Sequence, residues 1–234
     1  MKREAKCHIT LLMLFVVSGA FAQSSQKGIN LGDHILIKMS EKDLYGNTDK
    51  KVDGSPYLDD AFYDGEVHTV KGKYTGVPMR YDIYKDQFEF KQSNKMYILD
   101  PGLQLIKISI EKREFIVCKY DLKGKEQFGF FERLDSGKLT LMSRKLMAFR
   151  EAQEPKALES TSTPAKYSRQ PDVYFYMIGV GEISKIESIS KLIASLPDKQ
   201  DELAKFAKKE KISARKENDL IQFVKFYNSL LPNR

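Results

Sequence analysis

The chain has 234 residues, with 39 Lys and Arg against 32 Asp and Glu, a net charge of +7. The three His and two Cys form no cluster that supports zinc, there is no Trp, and no aromatic-basic module for nucleic acid is present. A body of this length buries an ample core without a disulfide framework, as one large domain or one and a half.

Residues 1–22 read as a leader. MKREAK is a basic n-region, ITLLMLFVVSGA an apolar run, and Ala20-Phe21-Ala22 a small-x-small cleavage site before Gln23. The apolar run is short for a membrane span. Cys7 precedes it, so it is not the lipidated cysteine of a lipoprotein. The expectation is an exported protein, periplasmic or extracellular, with no integral membrane segment after cleavage. Removing Lys2, Arg3, Lys6 and Glu4 leaves 36 basic and 31 acidic side chains, +5, and Cys118 as the remaining cysteine. One cysteine makes no internal disulfide.

HILIKM (34–39) reads as a short strand, followed by polar, turn-rich chain to Gly54-Ser55-Pro56. EVHTV (66–70) is the next strand. VPMRYDIYKDQFEF (77–90) then carries Val77, Met79, Tyr81 and Ile83 on one face and Arg80, Asp82 and Tyr84 on the other, because successive strand side chains alternate. Folding at Lys85-Asp86 sets Ile83 opposite Phe88 and Tyr81 opposite Phe90. Only an even-length loop brings the two apolar rows together. The turn type stays open.

KMYIL (95–99), LQLIKISI (103–110), EFIVCKY (114–120), QFGFFERL (127–134) and KLTLMSRKL (138–146) continue the strand series. Asp135-Ser136-Gly137 reads as a hairpin turn with Gly at a positive-φ position. Residues 149–172, with three Pro and a Ser/Thr cluster, read as an extended strap or linker. VYFYMI (173–178) is a last strand. Ile186, Ile189, Leu192, Ile193 and Leu196 share one helical face, and Asp198 is placed to cap a second helix containing Leu203 and Phe206. Leu220, Val224, Tyr227 and Leu231 make a third stripe. The fold class is α+β: a mainly antiparallel curved sheet (roll, barrel or sandwich) with a small C-terminal bundle of short helices. The chain divides into a leader (1–22), a β-rich domain (23–148), the strap (149–172), and a final strand with helices (173–234).

GSPYLDDAFYDGEV (54–67), PMRYDIYKDQFEF (78–90), GKLTL (137–141), PAKY (164–167) and LIQFVKFYNSL (220–230), in this order, resemble an uncharacterised family of exported proteins of Bacteroidota-type bacteria. That family carries a Gly-Ser-Pro-Tyr-Leu motif and an Arg-Tyr-Asn-Ile-Tyr-like motif. This chain has Asp82 where the resemblance expects Asn, and either residue caps a turn. The resemblance covers about Gly54 to Leu230 and implies envelope location and a β-rich body with a helical tail. It implies no reaction and supplies no catalytic residues.

Cys118 lies in the apolar run Phe115-Ile116-Val117-Cys118, where a thiol is inert, and a dyad with His68 would be needed to activate it. Asp59, Asp60, Asp64 and Glu66 could offer oxygen ligands, but they match no calcium loop, and such clusters ordinarily turn the chain. No catalytic, metal or cofactor residue is assigned. Arg80 and Tyr84 are the candidate binding residues. They line a groove if their face is concave and form a surface ladder if it is wet. Lys205, Lys208, Lys209, Lys211, Arg215 and Lys216 are either a solvated face or a docking site for an acidic partner or anionic headgroups. The expected function is a non-enzymatic envelope binding module, with a protein partner or a small amphipathic ligand. The alternative is a secreted hydrolase.

Overall fold

The computed structural model describes residues 36–38, 52–92, 95–99, 105–122, 124–154 and 162–231. The expected leader and residues 155–161 of the expected strap lie outside these. The strands are β1 (Leu36–Lys38), β2 (Val52–Asp53), β3 (Tyr63–Thr69), β4 (Gly72–Asp82), β5 (Gln87–Gln92), β6 (Lys95–Leu99), β7 (Leu105–Ile110), β8 (Arg113–Leu122), β9 (Lys125–Asp135), β10 (Leu139–Arg150), β11 (Ala165–Ile178) and β12 (Ile183–Lys185). The helices are α1 (Ile189–Ser195), α2 (Gln200–Lys209) and α3 (Glu217–Ser229). The described strands form one curved sheet in the order β1-β6-β5-β4-β3-β7-β8-β9-β10-β11-β12, with β2 added to β11. The α+β expectation is met. Among the described residues no helix is long and apolar enough to cross a membrane.

The β4–β5 hairpin shows how sequence sets position. Tyr81 pairs with Phe88 and Met79 with Phe90, a register two residues away from the expected one. The loop is Ile83–Asp86. Asp82 Oδ1 accepts the Lys85 amide at 2.9 Å, Asp86 adopts φ 52°, and the Ile83 amide is taken by the Pro56 carbonyl at 2.9 Å. These bonds end the ladder early. A shift of two leaves every side chain on its expected face, so the apolar rows still coincide.

One face is buried along β3, β4 and β7, whereas β9 and β10 are buried on both faces, by different partners. Val77, Met79, Tyr81, Phe88, Phe90, Ile108, Phe115 and Phe130 form the first core. Its centre is aromatic: Tyr81 stacks on Phe88 at 4.8 Å, and Phe88 meets Phe115 and Phe130 edge-on at 5.1 and 5.0 Å. Tyr120, Phe131 and Met142 form a second core on the opposite face, with Cys118 and Phe175 against it. Phe130 and Phe131 are adjacent, yet 1% and 0% exposed, so β9 is covered on both sides. β12 comes near β8 beside the second core, with no ladder between the two, and the sheet stays open.

The helices cover a third core, built on Leu139 and Leu141 of β10 with Leu192, Leu203, Leu220, Phe223, Val224 and Tyr227. Asn228 of α3 fastens this cap: its Oδ1 accepts the Leu139 amide and its Nδ2 donates to the Leu139 carbonyl, both at 2.9 Å. Gly137 is required there by space and not by φ, because a Cβ would stand 2.5 Å from the Asn228 amide nitrogen. Ser188 caps α1, its Oγ accepting from the Lys191 amide. Asp198 does not cap α2. Lys199, at φ 62°, occupies that position, and Asp198 accepts the Tyr227 hydroxyl at 3.1 Å.

Two further expectations change. Residues 149–150 and 165–172 of the expected strap belong to β10 and β11, and Gln153 bridges Thr163. Pro171 is admitted because the register passes from Arg144–Val173 to Leu146–Gln170, so Pro171 and Asp172 bulge opposite Lys145 and no ladder amide is lost. VYFYMI, expected as the last strand, is followed by Ile183–Lys185, which pairs with β11 as β12.

The chain before β3 supplies the actual strap. Val52 and Asp53 run parallel to Ala165 and Lys166 of β11. Gly54 then turns at φ 75°, where a Cβ would lie 2.7 Å from the Tyr167 carbonyl oxygen. Pro56 and Leu58 next bond to the β4–β5 hairpin, at Ile83 and Tyr81. The segment thus links β11 to the β4–β5 hairpin.

Candidate functional site

Arg80 sits on β4 opposite Glu89 of β5. Its Nε and Nη2 donate to Glu89 Oε2 at 2.9 and 2.8 Å, and its Nη2 also donates to the Tyr57 hydroxyl at 2.6 Å. The guanidinium lies 3.6 Å from the Tyr57 ring centre and 4.5 Å from that of Phe62. Burial and the Glu89 charge push the Tyr57 hydroxyl well above its ordinary range, so it stays protonated. Arg80 is therefore consumed by the protein: a cross-strand ion pair clamped between two rings of the strap. The cleft beside it, lined by Leu58, Tyr63, Arg80, Tyr81 and Arg113, holds about 80 Å³. Ligand pockets run from about 300 Å³ upward.

Tyr84 is placed elsewhere. It leaves the β4–β5 loop to meet Tyr167 at 5.3 Å and Phe149 at 5.9 Å, while Phe149 and Tyr167 pair across β10 and β11 at 4.7 Å. Tyr84 is 46% and Phe149 36% exposed. The rings are in mutual contact, each against the other two. They seal the end of the sheet where no ladder joins the hairpin to β10. Sequence reasoning missed Tyr57, Phe62, Phe149 and Tyr167 as neighbours. The Gly-Ser-Pro-Tyr-Leu stretch was the available signal for Tyr57. Phe149 and Tyr167 lay in the stretch read as strap.

The structure does not bring Cys118 and His68 together. His68 on β3 pairs with Lys107 on β7, which pairs with Ile116 on β8. Two ladder spacings, about 10 Å, separate the strands that carry the two residues. Burial pushes the Cys118 thiol up to about 11, and it packs on Met142 at 4.0 Å. A neutral thiol is a poor nucleophile. Three of the four clustered carboxylates are spent locally. Asp59 accepts from the Ala61 amide and the Tyr63 hydroxyl, both at 2.9 Å, Ser55 donates to Asp60, and Glu66 meets Lys73 and His68. Among the described residues no group of three metal-binding side chains converges.

Charge divides the molecule more sharply than any pocket. Across the sheet, Arg113 donates to Glu132 at 2.9 Å, Lys145 reaches Glu132 at 2.7 Å and Asp172 at 2.6 Å, and Arg169 reaches Asp172 at 2.6 Å. This alternating chain crosses β8 to β11. A second staple joins Asp86 to Arg144 at 3.0 Å and to the Tyr81 hydroxyl at 2.6 Å. In the helical cap Lys191 pairs with Glu187 and Lys199 with Glu202, and pairing thins out in the later turns of α2. Lys205, Lys208 and Lys209 share the outward face of α2, opposite the buried Leu203. Lys211 (φ 55°), Arg215 and Lys216 follow in the connection to α3, held where the Ile212 amide meets the Ala207 carbonyl and the Ser213 amide meets Asp219 Oδ2. All six cations are exposed. Lys209 lies 3.6 Å from Glu210, and the other five have no ion-pair partner among the described residues.

The chain matches no protein-family model, no curated protein and no solved structure.

Proposed function

We propose that this is an exported, non-enzymatic interaction protein of the cell envelope that works through its surface. Export rests on the leader pattern of residues 1–22. Envelope location is what the family resemblance implies. The observation that carries the choice of surface over interior is the filling of the sheet's curve. Tyr81, Phe88, Phe115 and Phe130 occupy it with their own rings, at centre distances between 4.8 and 6.1 Å. A small amphipathic ligand would have to displace packed aromatics, each worth several kcal/mol of burial (about 3–5 on truncation). A macromolecular partner meets no such obstacle.

The test is native mass spectrometry of the protein recovered from the envelope fraction of its own cell, before and after denaturation. The expected result is an N-terminus at Gln23 and a mass equal to the bare chain, or to the chain plus a macromolecule. A small-molecule adduct that denaturation releases would contradict the reading.

A further inference from the structure

We propose that the exposed cation face of α2 and the α2–α3 connection docks the protein on an anionic lipid surface. This rests on the surface-acting reading above. Six cations lie within the thirteen residues Ala204–Lys216, and Glu210 is the one carboxylate in that span. Glu217 and Asp219 stand at the first turn of α3, and Asp219 is occupied by the Ser213 amide. Asp201 and Glu202, both exposed, stand in the first turn of α2, so the positive charge is concentrated in its later turns and the connection, on a scaffold held by Leu203, Phe206 and Ala207, which pack in the third core.

The composition of the face selects the kind of partner. Five of the six cations are Lys, a compact hydrated point charge suited to a diffuse sheet of phosphates. Arg, whose fork grips single carboxylates in two places, occurs once. Protein interfaces are built on aromatic, Met and Arg anchors and are depleted in Lys. The large apolar side chains exposed among the described residues, Val52, Val70, Tyr84, Ile106, Phe128, Phe149 and Val180, all lie outside the helices. The cap therefore offers charge without an apolar anchor. That arrangement adsorbs to anionic headgroups and is released by salt, and it does not insert.

The test is vesicle co-sedimentation of the processed protein, with zwitterionic phosphatidylcholine vesicles compared with vesicles containing about a third phosphatidylglycerol, over a range of salt. Binding is expected on the anionic vesicles alone and lost as salt rises above physiological strength. A cap variant (Lys205→Gln, Lys208→Gln, Lys211→Gln, Lys216→Gln) should weaken binding about fivefold for each cation removed. A control variant (Lys95→Gln, Lys112→Gln, Lys125→Gln, Lys166→Gln) makes the same change in net charge on exposed body positions and should bind as the parent does. Circular dichroism of each variant confirms that it is folded. Equal loss in both variants would reduce the effect to net charge and overturn the proposal. A cap variant that binds like the parent would also overturn it. So would a parent that ignores anionic vesicles, and cap-dependent capture of an acidic protein would then name that protein class instead. Failure on vesicles leaves the surface-acting reading standing, whereas a released small ligand in the mass spectrum sinks that reading and leaves vesicle binding untouched.

Discussion

Lys145 on β10 has Glu132 at 2.7 Å and Asp172 at 2.6 Å and is 5% exposed, whereas Lys208 on α2 projects into solvent with no carboxylate beside it. The two regions handle charge by opposite rules. Inside the sheet a cation must be paired, since an uncompensated buried charge costs several kcal/mol (about 3–5). On the cap an unpaired lysine is nearly free, since exposed charges contribute about 0–1 kcal/mol to stability. Folding therefore explains the pairs in the body. It does not explain why six exposed cations gather in α2 and its connection to α3, and the proposed docking would.

The contrast breaks most visibly at Lys145. Lys145→Met strands Asp172 Oδ2 and leaves Glu132 to Arg113 alone, and should lower stability by about 3 kcal/mol, read as a urea midpoint shift. Lys208→Met should move that midpoint by about 0.5 kcal/mol or less. A cap variant as damaging as the seam variant would erase the distinction.

Asp86→Ala comes next. It removes the acceptor for the Tyr81 hydroxyl and for Arg144, and weakens the hold on the Phe130 amide at 3.4 Å, where β9 and β10 separate. The expected loss is about 2–3 kcal/mol, with amide exchange in the β4–β5 loop rising before that in the helices. Uniform acceleration of exchange across the molecule would show that the staple is not local.

Asp82 sharpens the comparison from the acidic side. Burial raises its carboxyl above the ordinary value of 3.8. Its folded form therefore holds the proton more tightly than its unfolded form. This contribution to stability is greatest at low pH and declines as pH rises through the folded value. Asp82→Asn keeps an oxygen for the Lys85 amide and removes that decline. Urea midpoints between about pH 4 and about pH 7 should run flatter in the variant, with stability at neutral pH equal or higher. The smallest effect is expected at Tyr227, which burial and Asp198 push up to about 12. Its share of stability holds below about pH 10 and is lost toward about pH 12, and Tyr227→Phe should flatten that limb of an alkaline unfolding curve.

Much of the sheet was legible because its signals are local. KMYIL coincides with β6, and the alternation of Val77 to Ile83 gave the buried face of β4 correctly. The register of that hairpin was not legible, because the Pro56 carbonyl, 27 residues upstream of Ile83, takes part in ending its ladder. β11 was cut short because Pro171 and the Ser/Thr stretch read as linker, and a bulge opposite Lys145 accommodates the proline. The candidate site shows the same divide. Tyr84 and Arg80 share a strand face in the sequence, yet one turns to Phe149 and Tyr167 and the other to Tyr57 and Phe62. Those partners come from segments whose pairing is tertiary. The basic run, by contrast, was visible as composition, and the structure adds that its members are exposed and mostly unpaired.

The most direct test of the account follows urea unfolding of the parent and the four-glutamine cap variant, each with and without anionic vesicles. The account predicts equal midpoints without vesicles, within about 1 kcal/mol, and a vesicle-dependent shift in the parent that the variant lacks. A variant that is destabilised on its own and shifts with vesicles as the parent does would mean that the cap's cations hold the fold together and dock nothing.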